Sequence, residues 1–431
     1  MSGSERKKVL VVGKGGREHA LVQALRESPS RPDLFVYPGS DALRDIAAPL
    51  PVWASADLVA GMTRLGIDLC IIGDESWLAD GLADRCKDVG IAVWGPTRNA
   101  ARLETSKMFA KEFMRRNNIP TAPFSFARSP QEVRALVRSH PVVLKFDGLA
   151  AGKGVSVCRT EADVEEFIDR VFQQKQYGQP TGIVVEERLE GKEVSVICAV
   201  SGAAYQVFVP ARDYKPLMDE DRGPNTGGMG AIASLYLVPE DTMAEIEQSV
   251  IRPTLRGIQT EDMSYRGFLY FGLMLTADGP KVLEYNCRFG DPEAEAILPL
   301  MYGDIATYLD RAARGPLDKN LIGFNTLCSV CVVLASRFYP YRPSAGEPIE
   351  GLAEVKNANV YHSGTRRRPD GGFAVDGGRV IAVTATGRDR DSAVRRAYRA
   401  VRRIRFDGMC YRSDIGRLHF EEATVAGAFA A

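Results

Sequence analysis

The chain has 431 residues, more than one hydrophobic core usually supports, so two or more packed units are expected. Its 55 basic and 55 acidic residues cancel, which argues against a protein drawn to nucleic acid or anionic lipid by overall charge. No apolar stretch approaches the ~20 residues that span a bilayer, and the polar N-terminal tip leads directly into a strand, so we expect a cytoplasmic protein without membrane partners.

The first predicted unit, residues 1–103, alternates strands with helices, which is typical of a doubly wound parallel sheet covered on both faces. The first helix and the apolar strands are predicted at 19–26 and at 8–12, 34–37, 68–72 and 92–94.

A glycine-rich turn, Gly13–Glu18, separates the first strand from the first helix. Such a turn directs backbone N–H groups and the positive end of the helix dipole at an anion. Glu18 stands where a dinucleotide-binding turn has its third glycine, and the second strand ends in Tyr37-Pro38-Gly39 without the acid that holds a ribose. The turn therefore favours a sugar phosphate over NAD. A turn needed only for helix–strand packing is the alternative.

Residues 104–325 follow another pattern and predict an α+β unit with a small lobe at about 122–190 and a large lobe at about 191–325. A helix is predicted at 107–117, before the small lobe. Two lobes of this kind can close over a ligand.

The small lobe contains a glycine-rich loop with lysines Lys145 and Lys153. Lysine supplies charge for phosphate, and Gly152 and Gly154 let backbone amides approach it closely. The loop is not that of a P-loop NTPase, because only three residues separate Gly148 from Gly152 and Gly154 follows Lys153 in place of Ser or Thr. A flexible hairpin is the alternative.

The next apolar strand runs directly into Glu186 and Glu187. A hinge there can present its backbone to an adenine edge, with an acid beyond it for the ribose hydroxyls. Acids that follow a strand are often merely solvated, so this signal is weak by itself.

In the large lobe, Glu284 and Asn286 share one face of a predicted strand because side chains alternate with period two. Two oxygen ligands of this kind suit Mg²⁺. Arg288 continues the same face and suits a carboxylate or a phosphate. A salt-bridged strand end is the alternative.

A second glycine-rich loop, 223–230, follows Asp213 and Lys215 in the same lobe. Its backbone can approach an anionic substrate, and a structural Ω-loop is the alternative.

The third predicted unit, residues 326–431, has short strands divided by glycine turns and then a basic amphipathic helix at 392–404. We interpret the arginines of this helix as a solvated face, because the chain as a whole has no excess of positive charge. Cys328 and Cys331 form a CxxC pair inside an apolar stretch that lacks a second Cys or His pair, so core packing is favoured over a zinc site.

Taken in order, six segments resemble the phosphoribosylamine–glycine ligase family of ATP-grasp enzymes: VVGKGGREHAL, GPTRNAARLETSK, KFDGLAAGKGV, GPNTGGMGA, RGFLYFGLM and EYNCRFGDPE. The resemblance covers essentially the whole chain. It implies a pre-ATP-grasp domain, two ATP-grasp lobes and a small C-terminal hybrid-motif domain rich in β-structure. It also implies that ATP phosphorylates glycine and that 5-phosphoribosylamine attacks the acyl phosphate.

The resemblance further implies ATP and Mg²⁺ or Mn²⁺ as cofactors, small-molecule substrates and no nucleic-acid partner, and we expect a monomer. By matching motifs it assigns ATP binding to Lys107, Lys145, Gly152, Lys153, Gly154, Glu186, Glu187, Leu189 and Glu193, and metal binding to Glu284 and Asn286. It assigns catalysis to Asp213, Lys215 and Arg288, and substrate binding to Gly15, Gly16, Arg17, Glu18, Glu75, Asn225, Thr226, Gly227 and Gly228.

Several positions depart from the family pattern. Arg212-Asp213-Tyr214-Lys215-Pro216 stands for Gln-Asp-His-Lys-Arg, and Ala294-Glu295 stands for Thr-Gln; the other changes fall in Gly73–Leu78 and at Ser40. These changes lie on the substrate side and leave the ATP motifs intact. An ATP-grasp ligase for another small acid or amine is therefore the nearest alternative, and a nucleotide-binding regulator without turnover is a more distant one.

Overall fold

The fold is taken from a computed structural model that describes residues 6–52, 54–150, 153–179 and 181–417. Among these residues, none of the helices combines the length and the apolar composition that crossing a bilayer requires. Gly152, predicted to bind ATP, lies outside the described residues, as do the last 14 residues of the third predicted unit, 418–431.

The N-terminal part forms the predicted parallel sheet, with strand order β3-β2-β1-β4-β5. Its strands are β1 Lys8–Gly13, β2 Asp33–Pro38, β3 Ala48–Pro49, β4 Leu69–Ile72 and β5 Ala92–Trp94. Its helices are α1 Gly16–Arg26, α2 Leu58–Leu65, α3 Glu75–Ala79, α4 Leu82–Asp88 and α5 Arg98–Thr105. Helix α1 begins three residues earlier than predicted, because Gly16, Arg17 and Glu18 already belong to it.

Helix α6, Lys107–Arg116, leads into the small lobe, a four-stranded antiparallel sheet with order β6-β9-β7-β8. The lobe consists of β6 Phe124–Ala127, α7 Pro130–Leu136, β7 Val142–Phe146, β8 Val155–Cys158, α8 Glu161–Ile168 and β9 Ile183–Glu187. Phe146, Phe167 and Ile183 form part of its own small core.

A mostly antiparallel sheet forms the centre of the rest of the protein, in the order β17-β16-β10-β12-β15-β20-β25-β22, with β11 paired to β10. Its strands are β10 Lys192–Ser201, β11 Ala204–Val207, β12 Ala211–Asp213, β15 Gly230–Ala233, β16 Arg266–Thr276, β17 Gly279–Asn286, β20 Cys328–Ala335, β22 Asn359–His362 and β25 Arg379–Gly387. Strands β15 and β20 pair directly, so this sheet continues across the predicted boundary at 325/326.

Smaller elements surround this sheet. The strands are β13 Pro216–Met218, β14 Arg222–Asn225, β18 Met301–Gly303, β19 Ile322–Phe324, β21 Ser344–Ile349, β23 Thr365–Arg367 and β24 Phe373–Gly377. The helices are α9 Glu240–Ile246, α10 Arg252–Thr260, α11 Glu293–Ile297, α12 Ile305–Arg314 and α13 Arg390–Val401.

The basic helix α13 buries Ala393, Ala397, Ala400 and Val401 in the core that it shares with β20 and β25. Cys328 and Cys331 are buried in that region without a disulfide. Within the described residues, no group of three or more His, Cys, Asp or Glu side chains is arranged to hold a metal ion.

Candidate active site

The small lobe contributes a buried ion pair to the cleft between the lobes. Lys145 on β7 and Glu186 on β9 are neighbours across the antiparallel pair, and Lys145 Nζ lies 2.8 Å from Glu186 Oε2. Lys145 also donates to the carbonyl of Leu283 at 2.9 Å. That carbonyl belongs to β17, where the register with β16 skips Leu283 in a bulge. Lys145 therefore links the small lobe to the strand that carries the predicted metal ligands.

Those predicted ligands, Glu284 and Asn286, lie on one face at the end of β17. Burial alone raises the pKa of Glu284, but the charges of Lys215, Lys107 and Lys145 outweigh it and lower the pKa to about 2. Glu284 is therefore a carboxylate at neutral pH. One carboxylate and one amide oxygen, beside lysines that attract phosphate, form a donor set that fits a hard divalent cation completed by phosphate oxygens and water.

Lys215 faces the same pocket from the strand segment that follows β12. Its Nζ lies 3.6 Å from Glu284 Oε1 and 3.7 Å from Glu193 Oε2. Asp213 lies on the same side, and its Oδ1 is buried without a hydrogen-bond partner among the described residues. Burial and the charge of Glu293 raise the pKa of Asp213 well above its ordinary value. The carboxylate form of Asp213 is therefore more basic than that of an exposed aspartate.

The predicted loop of Asn225, Thr226, Gly227 and Gly228 folds back over this pocket. Thr226 Oγ1 donates to the Lys215 carbonyl at 2.8 Å and accepts from the Gly228 amide at 3.0 Å. Gly228 has φ of +108°, and a Cβ there would lie 2.7 Å from Asp213 Oδ1. Glycine is therefore required at this position both for the backbone conformation and for space.

Arg288 connects the pocket to the N-terminal part of the protein. Its guanidinium lies 3.4 Å from Asn286 Oδ1, 3.3 Å from a Glu75 oxygen and 3.0 Å from a Glu104 oxygen. Burial opposes the ionised form of Glu75, but Arg288 and Arg17 lower its pKa to about 2. Contacts with the carboxyl groups of Glu75 and Glu104 therefore hold Arg288 beside the predicted metal ligands.

The N-terminal turn lies beyond Glu75, at the end of this series of charged side chains. Glu18 reaches back to accept from the Gly15 amide at 2.7 Å and pairs with Arg17 at 2.7 Å. Arg17 also lies 3.7 Å from Glu75. Gly16 packs so closely that a Cβ there would collide with the side chains of Glu295 and Ser363. The start of α1 therefore meets the large lobe and the C-terminal part at one junction.

Other predicted ATP residues lie at the edge of the cleft. Lys107 donates to the Gly148 carbonyl at 3.4 Å, whereas Lys153 extends to the Pro340 carbonyl of the C-terminal part at 2.7 Å. A Cβ at Gly154 would lie 2.7 Å from the Cβ of Ala150, so a side chain would not fit there. Of the remaining two, Glu187 is exposed and Leu189 is half-buried.

The side chains of Arg212 and Tyr214, which depart from the family pattern, point away from the pocket. Tyr214 is buried in the core of the C-terminal part, where its hydroxyl accepts from the Gly416 amide at 3.1 Å. Arg212 and Arg412 lie on its ring, each 5.0 Å from the centroid. Because neighbouring residues of an extended segment face opposite sides, the retained Asp213 and Lys215 face the pocket while the changed residues pack behind it.

The sequence reasoning missed three residues that hold this site together. Glu104 pairs with Arg288 and accepts from the Cys287 amide at 2.6 Å. Arg379 of β25 lies 3.0 Å from Asp291 and donates to the Gly227 carbonyl at 2.5 Å. Lys111 lies 3.0 Å from Glu186, and its position four residues after Lys107 on one helix is the only local signal that marks it.

Three family models match successive parts of the chain. The phosphoribosylglycinamide synthetase N domain matches residues 7–104, the ATP-grasp (A) domain matches 105–294, and the C domain matches 329–418. The prediction of an ATP-grasp fold with flanking domains is thereby confirmed.

Curated relatives match over nearly the full length. The phosphoribosylamine–glycine ligase of Caldanaerobacter subterraneus is 39% identical over 95% of this chain and 99% of its own length. The enzyme of the same name from Ralstonia nicotianae is 41% identical over 95% and 98%. The chain also covers 42% of the trifunctional purine biosynthetic protein adenosine-3 of Gallus gallus, with 40% identity.

Solved structures agree with this result. The crystal structure of phosphoribosylamine–glycine ligase from Thermotoga maritima has a TM-score of 0.83, 34% identity, and coverage of 94% of this chain and 99% of that one. The biotin carboxylase domain of the Hydrogenobacter thermophilus 2-oxoglutarate carboxylase, at a TM-score of 0.71 and 18% identity over 94% and 91%, shares the fold. The chain belongs to the phosphoribosylglycinamide synthetase family, whose members include ATP-grasp ligases of purine synthesis.

Proposed function

We propose that the protein ligates glycine to 5-phosphoribosylamine at the expense of ATP, giving glycinamide ribonucleotide, ADP and phosphate. The observation that carries this proposal is the position of Arg288. It contacts Asn286 at the nucleotide end of the site and Glu75 at the end beside the glycine turn. A guanidinium between these two ends supports a role in bringing an acyl phosphate and a sugar-bound amine together.

In the first step, an oxygen of the glycine carboxylate attacks the γ-phosphorus of ATP, and the bond from that phosphorus to the β–γ bridging oxygen breaks. Lys145 and Lys107 lie where they can neutralise the phosphate chain. Glu284 and Asn286 are the residues that would hold a divalent cation, which screens the charge of the phosphates. We propose that this cation is Mg²⁺ and that Mn²⁺, which has similar coordination, can replace it.

In the second step, the amine of 5-phosphoribosylamine attacks the acyl carbon, phosphate leaves, and the nitrogen loses a proton. Arg288 is suited to the charge of the departing phosphate because its planar guanidinium can form two parallel hydrogen bonds. Asp213 is our candidate for receiving the proton, because its Oδ1 has no partner among the described residues and its pKa is raised.

The phosphate of the sugar is assigned to the start of α1 beside the Gly15–Gly16 turn, where the helix dipole attracts anions. We also propose the domain division 1–103, 104–325 and 326–431, with lobes at about 122–190 and 191–325.

The test combines purified protein with Mg-ATP, glycine and 5-phosphoribosylamine generated from ribose 5-phosphate and ammonia. Mass spectrometry should detect glycinamide ribonucleotide in amounts that match the ADP released. Alanine and serine in place of glycine serve as controls. ADP formed with another acid but not with glycine would contradict the proposed substrates while leaving an ATP-grasp ligase.

A further inference from the structure

Lys111 is a buried amine that none of the sequence motifs singles out. It lies on α6, its residue is 2% exposed, and its Nζ lies 3.0 Å from Glu186 Oε1. It also donates to Thr121 Oγ1 at 2.6 Å, and Thr121 in turn donates to the Val282 carbonyl of β17 at 2.6 Å. Lys111 therefore contacts the small lobe directly and the metal-ligand strand through one hydroxyl.

Glu186 is shared between two lysines. One of its oxygens faces Lys111 and the other faces Lys145, which lies 2.8 Å away. The two ammonium groups differ in their further contacts: Lys145 bonds a carbonyl beside Glu284, whereas Lys111 bonds Thr121 beneath the cleft. Only one of the two is placed to meet a nucleotide phosphate.

The second lysine reduces the competition between Glu186 and a nucleotide phosphate for the ammonium group of Lys145. With Lys145 as its only counter-ion, Glu186 would compete with the phosphates of the nucleotide for that one ammonium group. A buried carboxylate that loses its counter-ion is strongly destabilised, so the competition would weaken nucleotide binding. A second cation that stays on Glu186 removes the competition.

We propose that Lys111 is a positioning residue for the nucleotide, the second counter-ion that keeps Glu186 charged and in place while Lys145 engages phosphate. This inference rests on the proposed function only in assigning Lys145 to ATP. Lys111 contacts Glu186 of the small lobe and, through Thr121, the Val282 carbonyl of β17. These contacts restrain the distance between the small lobe and β17.

The groups that face Lys111 predict that its charge depends on pH. Burial and the charge of Lys145 lower the pKa of Lys111 to about 8, against the opposing influence of Glu186 and Glu284. In the unliganded protein, the counter-ion is therefore progressively lost as pH rises through 8. Arginine remains charged over this range.

The experiment compares Lys111→Met, Lys111→Arg, Glu186→Gln and the Lys111→Met/Glu186→Gln double variant. ADP binding is measured by calorimetry, which needs neither glycine nor the amine, so a wrong choice of substrates does not affect the result. We expect Lys111→Met to weaken ADP binding about tenfold or more, because one partner of a buried charge network is missing. The double variant should be weakened by less than the two single effects combined.

Activity measurements separate positioning from general packing. The KM for ATP should rise in Lys111→Met by about the same factor as the ADP dissociation constant, while the KM for glycine changes by less than about twofold. Lys87→Met is the matched control: Lys87 donates to Ser264 at 2.9 Å, joining the N-terminal part to the large lobe away from the cleft. It should leave ADP binding unchanged.

The pH profile gives the third comparison. Between pH 7 and pH 9, ADP binding should weaken more in the parent protein than in Lys111→Arg. The proposal is overturned if Lys111→Met lowers only the unfolding temperature, if it raises both KM values equally, or if the two single effects are simply additive. Should Lys111→Met fail to fold, the comparison of the parent protein with Lys111→Arg still decides, because equal weakening of ADP binding in both between pH 7 and pH 9 overturns the proposal.

Discussion

The two ends of the site are built differently. At the nucleotide end, charges pair within a few ångströms inside one unit, as Lys145 and Glu186 do at 2.8 Å. At the far end, three parts of the chain meet around the start of α1, and Glu295 is fully buried there with both carboxyl oxygens unpartnered among the described residues. At the first end, Lys145 and Glu186 offset each other's charge. At the second, the buried Glu295 carboxyl has no such partner among the described residues, which makes the stability of this end sensitive to substitution and to pH.

The largest effect is expected at the nucleotide end. Glu284→Ala removes the carboxylate of the proposed metal pair and should lower kcat by about a thousandfold or more, because the charge of the phosphates is no longer screened. The assay follows ADP and glycinamide ribonucleotide together. Asp278→Ala, in the turn of the same hairpin, is the control and should keep full activity. If the Glu284→Ala protein showed an unchanged unfolding transition and normal turnover, the proposed role of Glu284 at the nucleotide end would be wrong.

The next largest effect should separate two adjacent residues. Asp213→Asn should lower kcat by about a hundredfold, because the proposed proton acceptor is lost while the shape is kept. Tyr214→Phe, one residue later, should change kcat by less than about twofold, since its hydroxyl bonds the Gly416 amide behind the site. It should cost about 1 kcal/mol of stability for that hydrogen bond. Similar kcat losses in both variants would show that the two sides of this segment are not functionally distinct.

At the three-part junction we expect a gain in stability. Burial and the charge of Asp291 raise the pKa of Glu295 well above its ordinary value, so folding favours the protonated form, and stability is lost as pH rises. Glu295→Gln removes the titration and should stabilise the protein by about 1–3 kcal/mol at pH 8, and by less at pH 5.

Denaturant unfolding of both proteins at the two pH values measures this difference. Asp370→Asn, in an exposed turn of the C-terminal part, provides the matched acid-to-amide control. A Glu295→Gln protein less stable than its parent at pH 8 would mean that the carboxyl has a partner in solution.

The smallest effect concerns two histidines beside the junction. His362 donates its backbone N–H to His19 Nδ1 at 3.1 Å, and the rings stack 5.7 Å apart. Burial lowers the pKa of His19 to about 3 and that of His362 to about 4. Both rings are neutral in the fold but take up protons when unfolded below about pH 6.5, so stability should fall as pH drops from 6.5 toward 4.

His362→Gln should reduce the loss of unfolding free energy between pH 7 and pH 5 by about 1 kcal/mol. Thermal unfolding at both pH values tests this result, with His140→Gln in the small lobe as the control. An identical pH dependence in parent and variant would show that this contact does not titrate on unfolding.

The same contrast explains what could be predicted from the sequence. Glu284, Asn286 and Lys145 follow from local spacing, because strand alternation and glycine-rich loops specify which side chains meet a ligand. The parallel N-terminal sheet and the ATP-grasp family were predicted correctly for similar reasons. The roles of individual site residues remain predictions until the variants are measured.

What the sequence did not reveal depends on contacts between distant parts of the chain. Glu104 meets Arg288, and Arg379 meets Asp291, only after segments that are distant in the sequence have packed together. The structural position of Tyr214 was missed for the same reason, because its partner Arg412 is about 200 residues away. Periodicity describes one element at a time and contains no information about such pairs.

The pairing of β15 with β20 has a consequence for how the chain is made. Strand β15 ends at Ala233, and β20 begins at Cys328, so a ribosome must add nearly a hundred residues before the two can join. Until then the nascent chain presents an unpaired apolar edge, the kind of surface on which aggregation begins. Chains that terminate late in this interval should therefore be insoluble, even though they contain nearly all of both ATP-grasp lobes.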